Sequence, residues 1–341
     1  MPEREKGKIM IVVFDTNAYL YLANNGTSEN IKRRVDILKQ AEAKYSEPIH
    51  ALICDTVAEE LLSHLCPPMS DDDKLRFGAA QAMYFHCGNK DNFGLLPQLW
   101  VQLAKELVDF NYTRLINNQV YIGQMLFQLS QLDSIDQMLN LNDGFYLNIS
   151  SICATIQDAE CLLKELLQYI YNVWHKKDEK LSREERIENK THLQDMINEE
   201  SKLDSFIALV IANTLQGVLY KDYGILIAPT EDMINSIVQS NKIPVEQFRI
   251  MLKGLKDKNA NPNKGSRLNT IWDTLILFAA GKSINNEKIL VITGDSKMIT
   301  AANQVAAREE RENHEVLSYI DYMRKIGADE LIPEMLIRNQ R

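Results

Sequence analysis

Two short apolar runs, far apart in the sequence, end in the same way and constrain the fold more than any other feature. Residues 9–14 are rich in β-branched side chains and stop at Asp15, and residues 289–293 repeat the pattern just before Asp295. Continuous apolar runs of this length predict strands that are covered on both faces, as in a parallel sheet with helical crossovers. Ligands of such sheets gather at the carboxyl ends of the strands, so both aspartates are candidate site residues.

Three weaker runs are also predicted to be strands. They cover residues 49–54, 223–229 and 315–319. A helix is predicted after each of the first two runs, and Thr230 is placed to cap the helix that follows the second. Strands that alternate with helices indicate an α/β fold.

Residues 66–221 contain no convincing strand and are predicted to be helical. Apolar residues recur there at helical spacing, which is typical of a core-facing stripe: Tyr121, Met125, Leu129 and Leu132, then Leu162, Leu163, Leu166, Leu167, Ile170 and Trp174. We therefore predict an α/β domain assembled from residues 1–65 and 222–341, a parallel sheet flanked by helices, with residues 66–221 as a large all-α insertion.

Composition excludes several classes of protein. With 341 residues the chain is long enough for a sizeable core, and its net charge of -9 provides no global positive field to attract nucleic acid. No apolar stretch reaches the roughly 18 residues that a membrane span requires, so we expect a cytoplasmic protein with no membrane partner. The five scattered cysteines form no metal-binding motif and are predicted to be reduced core thiols.

Further carboxylates join the two aspartates as candidate site residues. Asp273 shares a helical face with apolar residues, and its spacing leaves two roles equally open, a helix cap or a site residue. Glu59 and Glu60 follow the second strand, and helical periodicity does not choose between them. Carboxylates brought together repel unless a cation neutralises them, and Mg²⁺ or Mn²⁺ is the natural partner for oxygen ligands.

Four motifs in this chain resemble those of the PIN-domain nucleases. They are residues 13–17 (VFDTN), the Glu60–Leu61 pair, residues 272–276 (WDTLI) and residues 291–295 (VITGD). The resemblance implies a PIN-like fold in which Asp15, Glu60, Asp273 and Asp295 bind Mg²⁺ or Mn²⁺ and support phosphodiester hydrolysis. It favours Glu60 over Glu59, and it implies that Thr293 or Ser296 gives polar support.

The resemblance covers about residues 9–66 and 222–325 and leaves out the helical middle. The segment 223–238 looks like the family's third strand and the following helix, but 165 residues separate Glu60 from Ile225. The usual family connection there is short. A haloacid-dehalogenase-type phosphatase is disfavoured because its second aspartate would fall at Asn17, and a receiver domain because it would need an upstream acidic pair and a late lysine.

A basic segment directly precedes the Asp273 helix and is the predicted substrate-binding element. Its cations are Lys253, Lys256, Lys258, Lys264 and Arg267, opposed by Asp257 alone. Glycine, proline and asparagine between them favour a flexible loop. Lysines there would contact phosphates, which position a nucleic acid without specifying its sequence.

Together these features predict a Mg²⁺- or Mn²⁺-dependent endonuclease that acts on RNA in preference to DNA. Toxin and defence nucleases use this fold, so such a role is expected by analogy only. An inhibitory or accessory protein and a homo-oligomer are the other expected partners. The alternatives are a PIN-like scaffold of little activity that binds nucleic acid or protein, and a structure-specific DNA nuclease.

Overall fold

The computed structural model describes residues 9–66, 71–88, 95–96, 116–177, 180–224, 226–263, 265–284 and 287–338. The strands are β1 (Met10–Phe14), β2 (Ile49–Ala51), β3 (Ile53–Cys54), β4 (Leu95–Leu96), β5 (Ser283–Ile284), β6 (Glu287–Thr293) and β7 (Val316–Ser318). The first helices are α1 (Thr16–Ala23), α2 (Ser28–Lys44), α3 (Asp55–Ser63), α4 (Asp71–Cys87), α5 (Ile116–Ser130) and α6 (Asp143–His175). They are followed by α7 (Arg183–Asn198), α8 (Glu200–Tyr223), α9 (Glu231–Ser240), α10 (Lys242–Gly254), α11 (Gly265–Leu277), α12 (Ser296–Arg308), α13 (Tyr319–Ile326) and α14 (Glu334–Arg338). Two 3₁₀ helices cover Ile135–Asn140 and Asp329–Leu331.

Four parallel strands form the main sheet in the order β2-β1-β6-β7. In this register Val12 lies opposite Ala51 on one side and Leu290 on the other, which makes β1 a central strand. The short β5 pairs with the start of β6 in antiparallel fashion. The predicted α/β class with a helix-flanked parallel sheet is confirmed. Strands lie within the runs predicted at residues 9–14, 49–54 and 315–319, and β6 covers the run predicted at 289–293 and begins two residues earlier.

The strand predicted at residues 223–229 is wrong. Helix α8 continues through Tyr223 and ends at Gly224, whose left-handed backbone (φ 67°) closes the helix. Residues 226–230 have no regular structure, and the side chain of Leu226 is 73% exposed, so this apolar run covers no sheet. The helix predicted after it is confirmed, since Thr230 Oγ1 accepts a hydrogen bond from the Met233 amide at 3.2 Å.

The middle of the chain is helical where it is described, with one exception. β4 pairs in parallel with β3, placing Leu95 opposite Ile53, whereas we expected no strand in this region. Such a two-residue pairing depends on a partner distant in sequence and leaves no periodic pattern. Within the predicted apolar stripes, Leu129 and Leu167 are fully buried, but Tyr121 is 55% exposed and is not a core residue.

Two hydrophobic cores are joined by the long helix α6. The first core surrounds the main sheet and includes Leu126 of α5 and Ile149 near the start of α6. The second contains Leu167 and Ile170 from the later part of α6, together with residues of α7, α8, α9 and α10. Residues of α4, of α5 and of the start of α6 thus contribute to the same core as the sheet. The predicted boundaries near residues 66 and 221 remain a prediction.

A buried polar network connects four helices beside β1. His86 Nε2 lies 3.1 Å from Glu42 Oε1, the Tyr322 hydroxyl donates to the same oxygen at 2.6 Å, and the Tyr19 hydroxyl lies 3.3 Å from His86 Nδ1. Burial alone would lower the pKa of His86, but the Glu42 carboxylate and the Cys87 thiol raise it to about 10. The network is therefore a buried imidazolium–carboxylate pair that ties α4 to α2, α1 and α13.

The cysteines are all free thiols, but they do not share one environment. Cys54 is buried, and burial, followed by the charge of Asp55, raises the pKa of its thiol to about 12. Cys161 is exposed on α6, so the prediction of a core thiol is wrong at that position.

Candidate acidic site at the carboxyl edge of the sheet

Asp15 stands at the end of β1 and is the N-cap of α1. Its Oδ1 accepts a hydrogen bond from the Ala18 amide at 2.6 Å, and its Oδ2 accepts one from the Thr293 hydroxyl at 2.5 Å. The side chain is 1% exposed. Burial is the largest influence on this carboxyl and, with repulsion from Glu60, raises its pKa to about 7 against the opposing hydrogen bonds.

Asp295 stands at the equivalent point after β6 and is the N-cap of α12. Its Oδ1 accepts from the Lys297 amide at 2.6 Å, and its own amide donates to Thr293 Oγ1 at 2.8 Å. The Thr293 hydroxyl therefore connects Asp15 with the backbone of Asp295. This is the polar support expected of Thr293, whereas Ser296 is exposed at the start of α12.

Glu60 is carried to the same edge by α3, which begins directly after β3. Its Oε2 accepts a short hydrogen bond from the hydroxyl of Thr16, the residue after Asp15. Burial raises the pKa of Glu60, Glu160 adds repulsion, and Thr16 and Arg76 oppose them.

Glu59 belongs to a different environment, although it is adjacent to Glu60 in the chain. Burial and then the charge of Asp55 raise its pKa to about 8. Asp55 lies one helical turn before Glu59 on α3, whereas Glu60 influences Asp15. Of the two glutamates that periodicity left open, Glu60 is the one beside Asp15.

Asp273 completes the group from α11. Burial, followed by repulsion from Asp295, Asp15 and Glu60, raises its pKa to about 8, and Lys297 opposes this shift. The helix begins at Gly265, so Asp273 lies two turns inside it and is not the cap that its spacing left open. The four acids predicted from the sequence are therefore electrostatic neighbours. We call them the acidic site.

The donor chemistry of the acidic site suits a hard divalent cation, but its side chains are not assembled as ligands. Carboxylate oxygens are what Mg²⁺ and Mn²⁺ prefer, and the mutual repulsion at Asp273 is what a cation would relieve. Across the described ranges, however, no three histidine, cysteine, aspartate or glutamate side chains are grouped to hold one ion. Both oxygens of Asp15 already accept protein hydrogen bonds.

Two neighbours of the acidic site carried no signal in the sequence. Glu160, on α6, accepts a hydrogen bond from Trp272 Nε1 at 3.1 Å and is one of the charges that repel Glu60. The hydroxyl of Tyr21 is half-buried, and burial followed by Asp15 and Asp295 raises its pKa. Long-range folding brings Glu160 to the acids, whereas Tyr21 lies on the helix that Asp15 caps.

The predicted substrate-binding lysines lie near one end of α11. Lys253 is at the end of α10, and Lys256 and Lys258 lie in consecutive turns at residues 255–263; all three are exposed. The described part of this segment is a series of turns without helix or strand, as expected of a loop, and its flexibility stays a prediction. Lys264 falls outside the described residues. Arg267 lies in α11, and its side chain is also outside the described part of the structure.

Comparison with family models, curated proteins and solved structures finds no match. The PIN-like resemblance therefore stays a prediction that rests on the four motifs. Among the described residues, no helix is both long enough and apolar enough to cross a lipid bilayer.

Proposed function

We propose that this protein is a metal-dependent endonuclease that hydrolyses phosphodiester bonds of RNA, with a PIN-like domain split by the helical region. The observation that carries the proposal is the meeting of Asp15, Glu60, Asp273 and Asp295, from four separate elements, at the carboxyl edge of a parallel sheet. Four acidic side chains that repel one another in a half-buried site cost stability, and a bound divalent cation accounts for such an arrangement.

In this proposal the four acids hold Mg²⁺ or Mn²⁺. When bound, the metal supplies a Lewis acid that activates water and stabilises negative charge on the phosphate. Thr293 and Thr16 position Asp15 and Glu60 through their hydroxyl hydrogen bonds. Tyr21 borders Asp15 and Asp295 and helps to limit access of water.

The choice of RNA rests on the PIN-like resemblance, and Lys253, Lys256 and Lys258 are the described cations that would contact phosphates. Lys264 and Arg267 belong to the same proposed segment. A toxin or defence role, an inhibitory or accessory protein partner, a homo-oligomer and a cytoplasmic location are proposed on the same basis.

The test is cleavage of labelled RNA and single-stranded DNA in manganese, magnesium or EDTA. Asp15→Asn should reduce metal-dependent cleavage of RNA by about a hundredfold or more, because removing even an outer-shell partner of a metal costs about 10- to 100-fold. Asparagine keeps the capping acceptor and the volume, so the fold should survive.

Glu60→Gln and Glu59→Gln form a matched pair that tests the site itself. We expect Glu60→Gln to lose cleavage and Glu59→Gln to retain it, because only Glu60 bonds to Thr16 beside Asp15. Equal activity of the Asp15→Asn protein and the wild type would refute the proposal. Cleavage of single-stranded DNA but not RNA would favour the structure-specific DNA nuclease.

A second function, a scaffold of little activity, is favoured by one observation. The oxygens of Asp15 accept protein hydrogen bonds, and no metal-ligand grouping is present in the described parts of the chain. Calorimetric titration with manganese separates the two functions. Absence of binding by a folded protein that binds RNA would support the scaffold.

A further inference from the structure

Glu160 is a fifth carboxylate beside the acidic site, and it comes from the middle of the chain. Trp272, 112 residues further along the sequence, donates its indole N–H from Nε1 to Glu160 Oε1 at 3.1 Å. Trp272 is 5% exposed and directly precedes Asp273. Glu160 is also one of the charges that repel Glu60. It therefore borders two of the four acids, which lie on different helices.

A second hydrogen bond fixes the face of α6 that carries Glu160. The Cys153 thiol donates to the carbonyl of Ser63, the last residue of α3, at 3.2 Å. Glu160 follows Cys153 by about two helical turns, so both side chains lie on the same face of α6. Glu60 lies one turn before Ser63 on α3. The face of α6 that meets α3 therefore carries Glu160 alongside Glu60.

Glu160 lies between the parts of α6 that pack on the two hydrophobic cores. Ile149 and Cys153 before it contact the first core, and Leu163 after it belongs to the second. Glu160 itself is half-buried, and within the ranges that the structure describes it has no ion-pair partner. Withdrawing a charge from water without a partner costs stability. Neither apolar packing nor ion pairing therefore accounts for a carboxylate at this position.

The hydrogen bond from Trp272 does not require a charge either. A glutamine in place of Glu160 would offer the indole N–H the same kind of acceptor at the same position. What a glutamine lacks is the negative charge, which in the metal-free chain only adds to the repulsion at Glu60. A bound cation would turn this repulsion into attraction.

We infer that Glu160 supplies a fifth negative charge to the divalent cation of the acidic site, so that the helical middle of the chain takes part in metal binding. The inference rests on the proposed function. The affinity of oxygen sites for divalent cations depends on the number of charges around the ion, and partners of the direct ligands change it by about 10- to 100-fold. This role needs no direct coordination, in keeping with the absence of a three-residue ligand grouping from the described ranges.

The test is calorimetric titration of the full chain with manganese in the absence of RNA, so that it does not depend on cleavage. Glu160→Gln keeps the acceptor for Trp272 and removes the charge, and we expect it to weaken manganese binding by about tenfold or more. The matched control is Glu165→Gln, which removes one charge from an exposed position on another face of α6. This control should bind manganese as the wild type does.

Thermal unfolding in EDTA separates the charge of Glu160 from its hydrogen bond. Glu160→Gln should be at least as stable as the wild type, because repulsion of Glu60 is removed and Trp272 keeps an acceptor. Trp272→Phe removes the hydrogen bond and keeps the charge. It should lower the melting temperature in EDTA but weaken manganese binding less than Glu160→Gln does. Manganese should raise the melting temperature of the wild type more than that of Glu160→Gln.

Several outcomes would overturn the inference. Equal manganese affinity of Glu160→Gln and the wild type, with RNA cleaved by both, would refute the role of Glu160 and leave the nuclease intact. Lower stability of Glu160→Gln in EDTA with unchanged manganese affinity would limit Glu160 to holding Trp272. If the folded wild type bound no manganese, both proposals would be wrong. Manganese binding that depends on Glu160, without cleavage of any nucleic acid, would support the inference and refute the nuclease.

Discussion

At the scale of single residues, the acidic site contains carboxyl groups whose ionisation is disfavoured by burial in the folded chain. Asp15 and Asp273 have pKa values of about 7 and about 8, against an ordinary value of 3.8. Burial is the first cause in both, and like charge adds to it. Such groups destabilise the folded state near neutral pH, which is common where residues serve function instead of stability.

The pKa of Asp273 gives a prediction with a definite sign. Between pH 3.8 and about 8 the folded chain keeps a proton that the unfolded chain has released, so the free energy of unfolding falls as pH rises. Asp273→Asn removes this loss. We expect this substitution to raise the unfolding free energy of the metal-free protein by about 2 kcal/mol at pH 8. This is less than the whole pKa shift would give at 1.36 kcal/mol per pKa unit, because the side chain keeps partial contact with solvent.

Urea unfolding at pH 5 and pH 8 would measure the effect, which should be about a third as large at the lower pH because less of the pH range above 3.8 has been crossed. Manganese should then raise the melting temperature of the wild type more than that of Asp273→Asn. A variant that is less stable than the wild type at pH 8 without metal would contradict the assignment of buried charge.

Gly294 follows β6 at a point where side chains of α1 lie too close for a larger residue. A Cβ atom added there would lie 2.5 Å from Tyr21 Cε2 and 2.8 Å from Asn17 Cβ. Gly294→Ala should therefore push α1 away from the end of β6 and cost about 1–3 kcal/mol of unfolding free energy. The control is Gly217→Ala in α8, where nothing lies within 4 Å and the change should stabilise the helix by roughly 0.8–1.0 kcal/mol. Equal effects of the two substitutions would show that space at Gly294 does not matter.

At the scale of elements, α4 is fixed to the sheet domain through a charged pair as well as by apolar packing. His86 of α4 and Glu42 of α2 are both buried. The Phe14 ring of β1 packs edge-on against the His86 imidazole, with 4.8 Å between the ring centres. Removing one partner of such a pair leaves an uncompensated buried charge.

The His86–Glu42 pair is expected to make the folded chain less stable as the pH rises into the alkaline range. The pKa of His86 is raised from 6.5 to about 10, so its contribution is complete below pH 6.5 and is lost as pH rises through 10. We expect His86→Gln to cost about 3 kcal/mol at pH 7 and to flatten the decline of wild-type stability between pH 7 and pH 10. Denaturant unfolding across this range measures both effects. Parallel pH profiles for the two proteins would mean that His86 is not charged in the folded state.

At the largest scale, the main sheet shares one core with part of the middle region, namely α4, α5 and the start of α6. Leu126 of α5 and Val12 of β1 are both fully buried in it. A helical region that was merely inserted would unfold independently of the sheet, whereas one that shares its core would not.

We therefore predict that Leu126→Ala lowers the stability of the entire sheet-containing unit. The cost should be about 2–5 kcal/mol, and Val12→Ala should shift the same calorimetric transition. Leu209→Ala, at a partly exposed position of α8, is the control and should have little effect. A separate early transition in Leu126→Ala, with the sheet transition unmoved, would instead support an independently folding insertion.

Features that depend on short stretches of chain were predictable from the amino-acid sequence. The β-branched runs before Asp15 and Asp295 predicted two strands of a parallel sheet, because burial on both faces demands a continuous apolar pattern, and the structure shows that they are adjacent. The cap at Thr230 was equally readable, since a side-chain acceptor for free amides works locally. The strand prediction at residues 223–229 failed because this run is apolar but does not lie beside a sheet.

Which distant side chains meet depended on the tertiary fold. It separated Glu60 from Glu59, which differ by about 100° around one helix, and it directed Asp273 toward the other acids. It also brought Glu160 of α6 beside Trp272, the residue before Asp273. These choices depend on how helices pack against the sheet, and packing is set by contacts between residues far apart in the chain, which no local pattern records.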